Sequence, residues 1–543
     1  MHNFYLMKNL VVIFFLFLVT FVKAQPLLLP QNRFATIEIE KRLKNYHVVN
    51  FTTSRPIIAN QIGYDTLQQQ IIESQKRVIR KNLLARKFKQ EHFVQVKKEN
   101  FYLAIDPVFD MYAYKDFNAD TATYYTNTRG LFVEGALGKR VAFYSTFYES
   151  QSLFPKYLSD FATVTDVAPG MGRHKTFKVN GYDYAMASGV LSIDLTKFIN
   201  IQAGQGKNFI GDGYRSLLLS DNAFNYPYIK TQIHYKRFQY IFAYASLQEI
   251  GGLRNLNPGL AEPLFTRKPF TFQFLQFQIK KRIQLGFFQS TMFYTRDSAR
   301  AYTFDYNILN PVIGLNGVKY GLNNNNNVLL GLTARLRLTH DLIVYGQLAM
   351  DDTDPYKKDN SIRNKYAYQW GFRLNNAFIL KNLVVQFEQN RVRPYTYSAS
   401  RTWQNYAHYN QSMAHPLGAN FKENVIFVNY RLKKDFIIQF KYSRVFQGID
   451  TINGGNTGSN IFLSDLTANN GYYAGVYKRI NGLQTDLRYI SLRLGYVVNY
   501  TTNLTIFVEA QQRNFDGLLA PKTSSMFGFI GITSNLFNLY HDF

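Results

Sequence analysis

From Phe101 onward, apolar and polar residues alternate with a period of two, the signature of β-strands with one covered face. Leu504, Ile506, Val508 and Ala510 share one face, and Thr505, Glu509, Gln511 and Arg513 mark the other. Phe436, Ile438, Phe440 and Tyr442 repeat this against Gln439, Lys441 and Ser443. Leu383, Val385 and Phe387 alternate with Gln386 and Glu388, with Val384 as an exception. The covered face of such a strand meets either a protein core or lipid. One segment changes phase. Phe270, Phe272 and Phe274 lie on one face, and Leu275, Phe277 and Ile279 on the other. A β-bulge is the predicted cause.

The connections say more than any single strand. Short turns recur near 138–139, 194–197, 236–237, 282–283, 339–341, 380–382, 433–435 and 500–503. Longer polar stretches lie between them, at 115–127, 150–180, 207–226, 248–268, 296–325, 352–364, 393–420, 448–482 and 515–522. Short and long alternate, as in a bacterial outer-membrane barrel with tight periplasmic turns and long outer loops. Eight short and nine long connections join 18 strands; 16 is the alternative count. The predicted fold is therefore an all-β, antiparallel transmembrane barrel. The chain closes on 536–543, apolar residues ending in Phe543, which looks like the signal that barrel-insertion machinery reads.

The N-terminal part has another rhythm. Lys8, the apolar run Leu10–Val22 and then Lys23-Ala24 predict a signal peptide cut after Ala24. The run is shorter than the ~20 residues a spanning helix needs. From Asp65 to about Lys98, Leu67, Ile71, Ile72, Val78, Ile79 and Leu83 recur at helical spacing below a basic face that includes Lys76, Arg77, Arg80 and Lys81. This predicts an amphipathic helix in a periplasmic segment, docked on or in the barrel mouth or packed locally. The expected organisation is a signal peptide over 1–24, a periplasmic segment over 25–100 and the barrel over 101–543.

Composition agrees with a barrel. Aromatic residues make up 16% of the chain, with 40 Tyr and 47 Phe, at a mean hydropathy of -0.22. An alternating wall needs this balance, since only every second residue faces lipid. With no cysteine, disulfides and thiolate metal ligands are excluded. The net charge of +26 points to lipid phosphates or an acidic polysaccharide. Nucleic acid is not expected, because no helix-turn-helix, zinc finger or RNA-binding signature is present.

Two stretches concentrate polar and aromatic groups. The first, "GKNFIGDGYRSLLLSDNAFNYPY" from Gly206, offers Lys207, Asn208, Asp212, Tyr214, Arg215, Asp221, Tyr226 and Tyr228. Its glycines lack phosphate-loop spacing and strand–turn–helix context. Hydrogen-bonding groups mixed with aromatic faces suit a sugar; an internal Arg–Asp network closing the barrel is the competing reading. The second, from Asn390 to Phe421, offers Arg391, Arg393, Tyr395, Tyr397, Trp403, His408, Tyr409 and His415. His408 and His415 lack cysteine or carboxylate partners in sequence, so no metal and no cofactor is expected. Asp351, Asp352 and Asp354 read as a solvated acidic turn. No nucleophile–base pair or glycosidase carboxylate pair emerges, so no enzyme is expected.

These stretches also carry a resemblance. Gly206–Tyr228, "VRPYTYS", "HYNQSMAHPLGANF", "ILNPVIGLNG", "NNVLLGL", "VYGQLAMDD" and "RGLFVEGALGKRVAFYSTFYE" resemble the Wzi capsule-assembly family, in its Bacteroidota branch, over about 101–543. The resemblance implies an 18-stranded outer-membrane barrel with a periplasmic helical part. It also implies lectin-like association with surface polysaccharide, and in this branch a link to gliding motility. The expected partners are outer-membrane lipid or lipopolysaccharide, surface or capsular polysaccharide, and motility or secretion machinery. A gliding or adhesion component and a passive channel are the alternative functions.

Overall fold

The computed structural model describes residues 27–29, 31–43, 51–62, 82–119, 123–250, 265–294, 296–297, 300–301, 306–316, 326–353, 364–432, 435–450, 455–467, 480–517, 522–534 and 537–543. The predicted signal peptide and the first half of the predicted helix lie outside the described residues. Eighteen antiparallel strands close into a barrel. They are β1 Phe101–Asp116, β2 Thr123–Leu137, β3 Val141–Leu153, β4 Gly181–Asp194, β5 Ile199–Gly206 and β6 Tyr226–Tyr235. Next come β7 Phe238–Glu249, β8 Thr266–Lys280, β9 Ile283–Met292, β10 Asn327–Arg337, β11 Leu342–Asp352 and β12 Lys365–Asn375. The last six are β13 Leu383–Val392, β14 Phe421–Leu432, β15 Phe436–Ile449, β16 Leu483–Asn499, β17 Leu504–Gly517 and β18 Thr523–Thr533. β18 closes on β1, with Phe527 opposite Asp116 and Thr533 opposite Asp110. The connections alternate between the two ends, eight of two to seven residues at one end and nine of five to thirty-four at the other.

The wall is inside-out relative to a water-soluble protein. On β17, Ile506 and Val508 are 48% and 46% exposed, while Glu509 between β-neighbours on the inner face is 8% exposed. The apolar face meets lipid and the polar face lines the lumen, which satisfies every strand amide without leaving a free edge in the bilayer.

The phase change on β8 is not a bulge at that point. Its register with β7 runs unbroken from Phe238–Phe277 to Glu249–Thr266. Phe270, Phe272 and Phe274 point inward, packed with Leu218, Leu329 and Tyr406. Outward-pointing Thr271 and Gln273 are fully buried as well, because part of the connection 293–326 lies over them. Gln273 donates to Asn310 O (2.8 Å), and Gln289 accepts from Gly314 N (2.7 Å). Both faces are covered in the upper half of the strand, and only the outer face is bare below, so the sequence pattern switches.

The lumen is largely filled, with a cavity of about 210 Å³ left among Asp110, Tyr214, Lys441, Arg493 and Glu509. Helix α1, Arg33–Arg42, was not expected from the sequence. It lies among inward side chains of the wall, since its Glu40 pairs with Arg335 of β10 and Arg373 of β12. Strand Ser54–Arg55 pairs with Phe209–Ile210 of the loop between β5 and β6. The basic helix expected to reach Lys98 is shorter. Among the described residues it covers α2, Leu83–Lys89, and Val94–Lys98 is a strand paired with the lower half of β1. The C-terminal residues are not the last strand either. After β18 the chain turns inward, and Asp542 is fully buried against Arg215 and Lys441.

Candidate functional site

The loop of 207–225, expected as an outer tip, folds into the lumen. Three consecutive leucines, Leu217–Leu219, are 0% exposed; burying them drives the loop inward. Gly211 N donates to Thr53 O (2.8 Å), joining the loop to the N-terminal segment. Glu388 of β13 receives Tyr214 N (2.7 Å) and Arg215 N (3.1 Å). The Arg215 guanidinium contacts Glu423 (3.1 Å) and Asp542 (3.0 Å). Asp212 and Glu40 share Arg335. Asp221 accepts from Tyr540 OH (2.8 Å) and Asn538 (2.9 Å) of the C-terminal tail. Lys207 donates to Gly170 O (2.7 Å) and Asp221 O (3.1 Å). Lys230 donates to Asn208, and Tyr226 and Tyr228 lie on the inner face of β6. Of the residues picked out in this stretch, only Tyr214 is half-buried; the others are buried.

The second loop behaves alike. Tyr395 and Tyr397 adopt left-handed φ of 64° and 73°, a conformation that costs a bulky residue about 1–3 kcal/mol. Their contacts hold it. Tyr395 OH donates to Asn456 O and Tyr397 OH to Leu217 O, both 2.7 Å. Gly458, at φ 88°, lies so close that a Cβ there would sit 2.6 Å from Tyr395 N. His408 accepts from Gln248 N (2.9 Å), and its other ring nitrogen faces Asn225 O (3.3 Å). His415 contacts Glu423 (2.7 Å). The two histidines thus serve different partners. Arg393 stacks on Tyr366, 4.9 Å from its ring centroid. Arg391 belongs to β13 rather than to a loop, is half-buried, and faces Tyr368. Trp403 and Tyr409 are half-buried. Asp351, expected in water, is 3% exposed and accepts from Tyr397 N.

Electrostatics follow from burial. Desolvation alone would raise Glu40, but Arg373 and Arg335 outweigh it and hold the carboxyl at about 2. Desolvation opposes ionisation of Asp542 too, yet Arg215 and Lys441 keep it far below the usual carboxylate range. Burial lowers Lys207 to about 8, with Asp221 pulling the other way. Burial brings His408 down to about 3, so it is neutral, with Nδ1 accepting and Nε2–H donating. The segments inside the barrel are therefore held by mutually compensated charges rather than by displayed ones.

Among the described residues the long-loop end holds a pit of about 100 Å³, between α3 (Lys156–Thr165), the loops 393–420 and 450–482, and the C-terminus. Phe161, Phe462 and Phe543 supply apolar faces, and Asn410, Asn460 and Gln411 supply amides. The Phe161 and Phe543 rings lie 5.0 Å apart. Asn410 donates to Thr165 O (3.0 Å) and Asn460 accepts from Phe462 N (2.9 Å), which fixes both amides at the rim. Of these residues, Asn410 and Gln411 lie in the second candidate stretch and Phe543 reads as part of an insertion signal, but none was named as a ligand contact from the sequence. Their signal was weak: scattered Asn and Phe from segments distant along the chain.

A search of curated protein sequences finds no match. Among solved structures, the chain is similar to Wzi, an outer-membrane protein involved in group 1 capsule assembly in Escherichia coli and described as a carbohydrate-binding β-barrel. That match has 10% identity and a TM-score of 0.53, covering 93% of this chain and 98% of that one. OccAB2 of Acinetobacter baumannii (11% identity, TM-score 0.42, 79% and 96% covered) and OccK3 of Pseudomonas aeruginosa (10%, 0.42, 80% and 95%) also match. The sequence profile of the family described as capsule assembly protein Wzi matches residues 112–482. This outer-membrane β-barrel belongs to the Wzi capsule-assembly family.

Proposed function

We propose that the protein is a non-enzymatic barrel that holds surface polysaccharide at its long-loop end, on the outside of the cell. The observation that carries this is the amide-and-phenyl pit at the long-loop end. Sugars present apolar ring faces and outward hydroxyls, which phenyl rings and fixed amides complement. The side chains picked out from the sequence, from Lys207 to Tyr228 and from Arg391 to His415, shape this mouth by pinning its loops; Asp221, Tyr409 and His415 each adjoin a residue that lines the pit. In this reading 1–24 is a signal peptide, 25–100 enters from the periplasmic end, and lipopolysaccharide surrounds the outer rim. Sedimentation with purified capsular polymer tests it. Phe462→Ala with Asn460→Ala should weaken binding at least about tenfold. Binding equal to wild type discards the pit.

A second reading rests on the resemblance of the loop motifs to the Bacteroidota gliding-motility protein RemB. Beside the pit, Leu463 and Leu466 are 38% and 74% exposed, an apolar ridge suited to a protein partner of the motility or secretion machinery. Cross-linking from position 466 in living cells should then capture that partner. A deletion strain that spreads normally but loses its polysaccharide speaks for the first reading alone.

A further inference from the structure

The two ends of the barrel differ in charge. The eight short connections hold ten lysines and arginines against two aspartates in 29 residues, whereas the nine long ones hold eighteen against twelve in 180. At the long-loop end, cations such as Arg215 are buried on carboxylates. At the short-turn end, Lys236–Arg237 and Lys281–Arg282 stand exposed at turn tips, as does Lys139. Asp341, one of the two acidic residues, is held by Asn376 (2.8 Å). Beside each cationic tip the wall becomes apolar and bare. Leu137 is 51% exposed, Tyr235 and Phe238 are 46% and 55%, and Ile279 is 44%. Cations just beyond the hydrocarbon belt lie at the depth of headgroup phosphates.

A segment outside the barrel continues the same band. Leu83, Leu84 and Phe88 of α2 are all more than half exposed, and its last turn carries Arg86, Lys87 and Lys89. The helix is tied to the turn between β16 and β17. Asn499 donates to Lys87 O and Glu91 O, both 3.0 Å, and Thr501 donates to Gln90 O (2.8 Å). Strand Val94–Lys98 follows, with Val94 and Val96 opposite Ile105 and Leu103 of β1, on the lipid-facing side. Exposed Lys97 and Lys98 end it. Bare apolar side chains interleaved with lysines, beside a lipid-facing wall, make an interfacial element.

We propose that the short-turn rim is a binding collar for anionic phospholipid. The turn-tip cations meet the headgroup phosphates of the leaflet at that end, and Leu83, Leu84 and Phe88 enter the acyl boundary. The occupant is a diacyl lipid with a net negative headgroup, of the phosphatidylglycerol type. Continuity with the lipid belt and charge complementarity both point to it.

The full chain is reconstituted in an equimolar mixture of phosphatidylcholine and phosphatidylglycerol, and retained lipids are read by native mass spectrometry after gentle release. Wild type should keep phosphatidylglycerol over phosphatidylcholine by about tenfold. The variant K236Q/R237Q/K281Q/R282Q should lose most of that preference. L84S/F88S should keep the preference but hold less lipid in all. The altered side chains are exposed, and gel heat-modifiability confirms folding. An undiminished preference in the glutamine variant, or no preference in wild type, overturns the proposal. In a parallel arm with lipopolysaccharide, retention of lipid A through the same four side chains overturns the assignment to the short-turn leaflet. Polymer sedimentation on the same samples should be unchanged, which separates this test from that of the pit.

Discussion

The long-loop end and the short-turn end solve opposite problems with the same residue types. At the long-loop end, Arg215, Glu423 and Asp542 are buried and bonded to one another, with half-buried Lys441 on Asp542. At the short-turn end, Lys236, Arg237, Lys281 and Arg282 stand in solvent. A buried charge is costly unless it is paired, so removing one partner strands the other. An exposed charge contributes little to stability and stays accessible to its surroundings. The same +26 chain therefore uses its buried charges as internal fastening within the lumen and its exposed ones as a display at the short-turn rim.

The largest effect should come from breaking the fastening. Arg215→Met takes the shared cation from Glu423 and Asp542, leaving them His415 and Lys441, and should cost about 3 kcal/mol, read as a lower unfolding temperature by gel heat-modifiability. Removal of residues 537–543 takes away Asp542 and the Tyr540 contact with Asp221. It should open a path beside Arg215, seen as a rise in planar-bilayer conductance over the intact barrel.

Acid should act on the buried groups in two windows. The folded pKa of His408, about 3, lies below the ordinary ~6.5. The unfolded chain then binds the extra proton first, so the contribution of His408 is complete above ~6.5 and is lost as pH falls toward 3. At pH 5 the loss is about 2 kcal/mol, from 1.36 kcal/mol per pH unit. His408→Gln should flatten the fall in unfolding temperature between pH 7 and pH 5. Glu40, held at about 2, is also depressed. Its contribution is complete above ~4.3 and disappears as pH falls toward 2, so a second, steeper loss should appear there and be absent in Glu40→Gln.

The smallest effects belong to the short-turn end. Lys236→Gln with Arg237→Gln should change stability by less than about 0.5 kcal/mol. Ile379, 96% exposed at φ 67° in the turn between β12 and β13, should gain about 1 kcal/mol when replaced by glycine, measured as a higher unfolding temperature. A loss there would show that the strained apolar tip rests on something.

Much of the wall was legible because lipid imposes a strict rule. Ile506 and Val508 must alternate with Thr505 and Glu509 once one side is hydrocarbon and the other is the lumen. The turn count was legible for the same reason, since each crossing has to end. Legibility stopped where two layers meet. Thr271 and Gln273 look misplaced on β8 until residues 310–316 are seen lying over them. The candidate loops read as display because glycine, tyrosine and asparagine are common to both tips and plugs. Leu217–Leu219 was the clue that water is not their surrounding.

The sequence by itself determined a closed, alternating cylinder with eighteen crossings, because a bilayer leaves no other way to satisfy strand amides while hiding every second side chain. Only the tertiary structure decided what fills that cylinder. α1, the loop of 207–225, the loop of 393–420 and the C-terminal tail meet through pairs such as Glu40 with Arg373 and Arg215 with Asp542, hundreds of residues apart. Periodicity is a local consequence of one strand between two media, whereas a buried ion pair depends on where two distant segments come to rest.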